Sequence, residues 1–245
     1  MGGMPFVLLL LFLVCGGICQ ASEARVERDG VVFFTYTTQP QDVELYWLNP
    51  EGKPFRQFST LQKHLRETGR RLRFVMNGGL FEADGSPCGL LVIDGHTVQP
   101  LNTRDGVGNF YLKPNGVFFI DAKGAHVVST EEYTLKTDVP RLAIQSGPLL
   151  LRNGQIHPAF RKNSKNDLHR NGVGVREDGT VIFAITKFDQ PRRVTLHGFA
   201  EFFRDQGCRD ALFLDGDLSQ MFVDPDESLH PGNSFGTIFA VTEGR

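Results

Sequence analysis

Asp215 and Asp217 flank Gly216 at the point where the apolar run 211–214 stops. A covered strand ending on acids can offer a nucleophile or a base to a ligand at its edge. A plain turn is an equal reading, since Asp-Gly pairs are common in turns and Asp side chains bond nearby amides. Three other strand-like runs stop at small polar loops: Asn77-Gly78-Gly79, Gln145-Ser146-Gly147 and Arg170-Asn171-Gly172. If these ends converge, the pocket holds carboxylates, a guanidinium, amides and hydroxyls, a set that can handle a sugar joined to a phosphate. Arg170 would bind phosphate oxygens. Asn77, Gln145, Ser146, Asn171 and Ser219 would meet sugar hydroxyls, Gly78, Gly79 and Gly147 would let a ligand approach the backbone, and an Asp would act at the anomeric carbon. The competing reading of Arg170 is a surface charge.

Other chemistries lack their signatures. The chain has no Gly-x-x-x-x-Gly-Lys-Ser/Thr loop, no His-Glu-x-x-His and no Gly-x-Ser-x-Gly, and Gly172-Val173-Gly174 lacks the third glycine of a dinucleotide site. Its seven His are scattered without metal-ligand spacing, so neither a metal nor a cofactor is expected. A formal charge of −2 gives no overall attraction for nucleic acid. Anion binding must come from local basic residues such as those of the segment 160–171.

The elements that would position these groups are mostly strands. With 245 residues, 21 Phe and 27 Gly, the composition suits one sheet-rich core with many tight turns. Strands are predicted at 31–36 and 43–48 as an opening hairpin or meander, at 72–76, and from 89 to 93. A hairpin is predicted across Lys113-Pro114-Asn115-Gly116, joining 110–112 to 117–120. Two more are predicted at Asn153-Gly154 and at Glu177-Asp178-Gly179. Two substantial helices are expected, one with a Ser59/Gln62 capping box and an end at Gly69, the other capped by Thr195 and ending at Gly207. No linker or repeat interrupts them. The expected fold is a single α+β domain, sheet-rich, with about two helices packed on the sheet.

Residues 6–14 have the length of a signal-peptide core and fall short of a membrane helix. The expected organisation is a signal peptide over 1–21 and one domain over 22–245, with Ser22 as mature start or, alternatively, cleavage after Ala24. The mature protein would be periplasmic or secreted, without stable membrane insertion. Cys88 and Cys208 then remain, as a disulfide or as two separate thiols.

Together, Asn77-Gly78-Gly79-Leu80-Phe81, Gly89-Leu90, Gly108-Asn109-Phe110, Lys113-Pro114-Asn115-Gly116-Val117, Gln145-Ser146-Gly147-Pro148, His157-Pro158-Ala159-Phe160, Arg170-Asn171-Gly172-Val173-Gly174-Val175 and Leu214-Asp215-Gly216 resemble the phosphodiester glycosidase family, in its short bacterial branch. The resemblance implies a sheet-based α+β fold and hydrolysis of a sugar-1-phosphodiester. It makes Asp215 the nucleophile or water-activating base, Asp217 an acid/base or sugar ligand, and Arg170 the stabiliser of the departing phosphate. Relatives carry glycines where this chain has Asp217 and Leu218. The alternative is a protein that binds a glycan or sugar phosphate without turning it over.

Overall fold

The computed structural model describes residues 21–225 and 228–244. Most of the expected signal peptide, residues 1–20, lies outside them. In chain order the strands are β1 (Ser22–Arg28), β2 (Val31–Thr38), β3 (Glu44–Tyr46), β4 (Arg71–Asn77), β5 (Leu91–Ile93), β6 (His96–Gln99), β7 (Gly116–Asp121) and β8 (Gly124–Ser129). They continue with β9 (Leu142–Ser146), β10 (Leu149–Arg152), β11 (Gln155–Ile156), β12 (Asn171–Arg176), β13 (Val181–Thr186), β14 (Cys208–Asp215), β15 (Met221–Val223) and β16 (Ile238–Glu243). The helices are α1 (Phe58–Glu67), α2 (Thr130–Tyr133) and α3 (Leu196–Asp205). This is the expected α+β domain with two substantial helices.

The strands make three sheets. A seven-stranded sheet runs β1-β2-β13-β12-β14-β10-β11, a four-stranded sheet β15-β4-β16-β3, and a five-stranded sheet β6-β5-β9-β7-β8. All three turn one face to a common core that includes Tyr36, Phe74, Phe118, Phe183, Leu212 and Phe239. A helix covers each outer face. Phe199, Phe202 and Phe203 of α3 pack on the large sheet, Leu61 and Leu65 of α1 on the four-stranded sheet, and Tyr133 of α2 on the five-stranded one. Strands buried on both faces read as continuous apolar runs. In β14, Leu212 and Leu214 face the common core while Ala211 and Phe213 face α3.

Local turn chemistry predicts the hairpins β10/β11 and β12/β13, and the structure has both. Long-range partners decide the rest. The runs at 31–36 and 43–48 do not pair with each other: β2 lies between β1 and β13, whereas β3 joins the four-stranded sheet beside β16. The predicted hairpin at residues 113–116 is also displaced, because residues 109–111 form a short 3-10 turn and β7 pairs with β8 and β9. Asn115 holds that corner by donating from Nδ2 to the Phe110 carbonyl at 2.8 Å. Helix α1 starts one residue before Ser59 with Gln57 as an N-cap lacking a side-chain bond, and Gln62 instead ties down the chain at Pro225 and Leu229. Thr195 does cap α3, accepting from Gly198 N at 3.1 Å. Cys88 and Cys208 are separate thiols. No helix among the described residues is long and apolar enough to cross a membrane.

Candidate active site at the seam of three sheets

Asp215 is the last residue of β14, and its direction depends on an irregularity in that strand. Gly172 pairs with Phe213 but Asn171 pairs with Asp215, so β14 holds one extra residue, Leu214. Strict alternation would put Asp215 on the same outward face as Phe213. The bulge turns it toward the seam, as bulges re-aim side chains near sites. There Oδ2 accepts from Asn77 Nδ2 at 2.9 Å and Oδ1 accepts from Gly216 N at 2.8 Å. Among the described residues no cationic side chain pairs with it. Burial, opposed by those two donors and reinforced by the charge of Asp217, pushes its carboxyl up to about 6.

Asn77 is the hub. Its Oδ1 accepts from Asn171 Nδ2 at 3.1 Å and from Gln220 N at 3.0 Å, and Asn171 Nδ2 also reaches the Asn77 carbonyl at 3.1 Å. The end of β4, the start of β12 and the loop after β14 are thereby fixed to one another. Around this hub stand buried polar atoms without hydrogen-bond partners among the described residues: Asn171 Oδ1, Ser219 Oγ and Thr237 Oγ1. Unsatisfied buried groups are uncommon in folded proteins and mark sites waiting for a ligand or water. Ser146 links a further sheet to the same place, donating from Oγ to the Leu214 carbonyl at 3.1 Å. His169 braces the loop from below: Nε2 donates to Ser219 O at 3.2 Å and Nδ1 accepts from Thr186 Oγ1 at 2.8 Å. Burial lowers its pKa, which keeps the neutral ring those partners require.

The structure thus gathers Asp215, Asn77, Asn171, Ser146 and Ser219. It places other predicted residues elsewhere. Arg170 is 1% exposed, with Nε on the Val194 carbonyl at 2.8 Å, NH2 on the Asn166 carbonyl at 3.0 Å and its guanidinium 5.6 Å from the Phe213 ring centroid. Adjacent strand residues point to opposite faces, so Arg170 lies on the α3 side while Asn171 faces Asp215. Burial lowers its pKa to about 10, and the residue ties main-chain segments together without reaching Asp215. Gln145 is likewise spent internally: Oε1 accepts from Leu90 N and Asn102 N, and Nε2 donates to Asn102 O and Thr130 Oγ1.

The glycines serve packing. A Cβ on Gly78 would lie 2.2 Å from Thr237 Oγ1, one on Gly79 3.2 Å from Ser146 Oγ, and one on Gly147 2.6 Å from Asn115 Cβ. The Gly78 amide already donates to Thr237 O at 2.9 Å. Asp217 is exposed on the loop, with Oδ1 accepting from His169 N at 3.3 Å and lying 3.7 Å from Arg193 NH1. It influences Asp215 through its charge. Asp224, at the other end of β15, pairs with Arg73 at 2.7 Å.

Sequence reasoning passes over several residues of this site. Thr237 and Gln220 carry no motif, and only the seam brings them to Asn77 and Gly78. Glu82 and Cys88 sit in the loop after Gly79. Burial first, then the Glu82 carboxylate and more weakly Asp215, push the Cys88 thiol up to about 12, which leaves it protonated and unfit as a nucleophile.

Comparisons with known proteins agree with this architecture. The sequence profile of the phosphodiester glycosidase family matches residues 70–241. The uncharacterized protein YigE of Escherichia coli (strain K12) is 28% identical over 221 residues, covering 90% of this chain and 84% of that protein. Among solved structures, the zebrafish N-acetylglucosamine-1-phosphodiester alpha-N-acetylglucosaminidase catalytic domain, auto-inhibited by its pro-peptide, superposes with a TM-score of 0.63 at 18% identity, over 92% of this chain and 83% of that one. A hypothetical protein from Synechocystis gives 0.56 at 12% identity, over 91% of this chain and 62% of that one.

Proposed function

We propose, on the premise that the chain belongs to the phosphodiester glycosidase family and is a hydrolase by that membership, that it is an exported enzyme cleaving the C1–oxygen bond of a sugar-1-phosphodiester. The substrate would be a sugar phosphate of the cell envelope or of a polysaccharide. Export rests on the leader-like residues 1–21. The observation that carries the chemistry is Asp215: a buried carboxylate at a strand end, held by two hydrogen-bond donors and left without a cation, with its pKa raised to about 6.

Such a carboxylate is ionised at neutral pH and more basic than a solvated one, which suits a nucleophile or a base that activates water. The leaving group is a phosphomonoester with a second pKa of about 6, so it departs without full protonation. A strong general acid is therefore not required. The bond between the sugar C1 and the bridging oxygen breaks, its electron pair leaves on the phosphate, and a hydroxyl derived from water completes the sugar. Asn77 orients Asp215, while Asn171 Oδ1, Ser219 Oγ and Thr237 Oγ1 supply the unused acceptor and hydroxyl groups that sugar or water would meet.

One observation favours a second reading. Asp215 is only 7% exposed, which restricts attack on a sugar carbon and suits a protein that holds a glycan or sugar phosphate without turnover. Incubation with a panel of sugar-1-phosphodiesters, following free reducing sugar and phosphorus signals for wild type and Asp215→Asn, separates the two. Product from wild type and none from the variant supports hydrolysis, whereas saturable binding with no product from either supports the second reading.

A further inference from the structure

The basic residues of the segment 160–171 remain outside the Asp215 site, and the structure gives them a place. Lys162 and Lys165 line a cavity of about 670 Å³ between the β1–β2 turn, residues 162–167 and the start of α3. Its other cations are Arg28, Arg192 and Arg193, against the acids Asp29, Asp167 and Glu201. Formal charges there sum to 5 − 3 = +2, in a chain whose net charge is −2.

The internal pairing engages Arg28 and Arg193 and leaves Lys162, Lys165 and Arg192 outside the ion pairs among the described residues. Arg28 is taken up by Asp205 at 2.7 Å, Asp29 at 2.8 Å and Glu201 at 3.3 Å, and Glu201 is shared with His197 and Arg204. Among the described residues Arg192 donates to the main-chain carbonyl of Asp29, at 2.9 Å, and to no carboxylate. Lys162 and Lys165 have no ion-pair partner among the described residues. The walls are also held in place. Buried Arg170 clamps Val194 on one side and Asn166 on the other, and Leu168 and Val194 form a β-bridge between the two.

Position connects this cavity to the site. Phe33, which lines it, pairs with Thr186, Ile185 with Asn171, and Asn171 with Asp215. These residues share one end of the large sheet, the cavity on its α3 face and Asp215 turned to the opposite face; counted across the sheet, Asp215 is three strand spacings of about 4.8 Å, or roughly 14 Å, from Phe33, so a bound chain would pass over the end of the strands. Arg193 bridges the interval at 3.7 Å from Asp217.

We infer that this cleft binds phosphates of a phosphodiester-linked saccharide chain, holding repeat units beyond the bond presented to Asp215; the inference rests on the hydrolase reading and names its substrate class as a polyanion. One sugar phosphate would occupy a single cation, whereas cations spread along a cavity of this size match phosphates in series. Nucleic acid fits less well, because single-stranded binders stack bases on accessible aromatic rings, and the aromatic residue in this wall, Phe33, is buried.

The test uses the full chain carrying Asp215→Asn, so that bound probe is not consumed, and two probes: a methyl hexose-1-phosphate diester and a synthetic chain of several hexose-1-phosphate repeats. Lys162→Ala/Lys165→Ala is expected to weaken binding of the repeat chain about tenfold, with the single diester unaffected. The difference should shrink as salt rises, and Lys162→Arg/Lys165→Arg should restore binding. With Asp215 intact, the double alanine variant should raise KM for the repeat chain and leave kcat unchanged. Equal weakening of both probes, no weakening of either, or equally tight binding of an oligonucleotide with the same number of phosphates overturns the inference. If wild type cleaves neither probe while the binding difference persists, the hydrolase reading falls and the cleft stands. If cleavage occurs and the lysines do not matter, the cleft alone falls.

Discussion

Two carboxylates at the ends of regular elements meet opposite fates in this molecule. Glu132 belongs to α2, where it completes a capping box with Ser129 and receives Arg152 at 2.7 Å; Arg152 also holds Asp210 at 2.8 Å. Hydrogen bonds from Arg152 dominate and pull the Glu132 carboxyl down to about 2. Asp215 also receives main-chain and side-chain donors, yet it has no cation, and burial lifts it to about 6. Donors alone do not settle a buried carboxylate; a cation decides whether it serves the fold or stays reactive. Around Glu132 the carboxylates of Glu132 and Asp210 share Arg152, while the seam at Asp215 keeps three buried polar atoms without partners among the described residues. Free energy withheld from folding there is available for a ligand.

This contrast can be broken by measurement. The largest effect should follow Asp215→Asn, which is expected to lower kcat/KM for a sugar-1-phosphodiester by about a thousandfold, whereas Glu132→Gln leaves it unchanged; equal losses, read as reducing sugar released, would erase the distinction. The second concerns stability. Because the folded pKa of Asp215 is raised, its favourable contribution is present below the unfolded value near 3.8 and is lost as pH rises through about 6. Wild type should therefore lose up to about 3 kcal/mol relative to Asp215→Asn between roughly pH 4 and 7, as urea unfolding at several pH values will register. A flat difference would remove the assigned burial cost.

In the rate itself, kcat/KM should climb with pH through about 6, since a nucleophile or base must be ionised. Asn77→Ala removes a donor that lowers the Asp215 pKa, so it should move this limb upward. A limb unmoved by that change would detach Asn77 from Asp215. The smallest effect belongs to Glu132, whose side chain is 44% exposed. Screening limits its worth, so Glu132→Gln should cost about 1 kcal/mol at neutral pH. With a depressed folded pKa, that contribution is present above about 4.5 and lost as pH falls toward 2, which thermal melts across the acid range will trace.

Much of this was legible wherever a few neighbouring residues decide the structure. The β10/β11 and β12/β13 hairpins follow from Asn153-Gly154 and Asp178-Gly179, α3 follows from Thr195 and its phenylalanines, and the acid-ended strand follows from residues 211–215. Partners far along the chain were not legible. β3 reads as the mate of β2 because its true neighbour, β16, is written at the other end of the sequence. Arg170 stands beside Asn171 in the sequence, but only the pleat shows that the two face opposite sides. Gln145 looks like a ligand group until Leu90, Asn102 and Thr130 are seen to use all of its amide. Thr237 has no signal at all, being one threonine at a strand end. Helix α2 is marked in the sequence by its Ser129/Glu132 capping box alone, since one turn of helix leaves no periodicity to find.

The seam at Asn77 also carries a consequence for how the protein comes to life. Asn77 and Asp215 are 138 positions apart, and Asn77 and Asn171 are 94 apart. Contacts of such separation are slow to form, because the loop entropy must be met before they return anything. The hairpins and helices can exist in a chain whose reactive corner does not. During refolding, circular dichroism should recover before any activity, and a partly folded chain should be inert toward the sugars around it. Catalytic competence would then be the last property acquired, a latent period that the long sequence separation of the seam itself enforces.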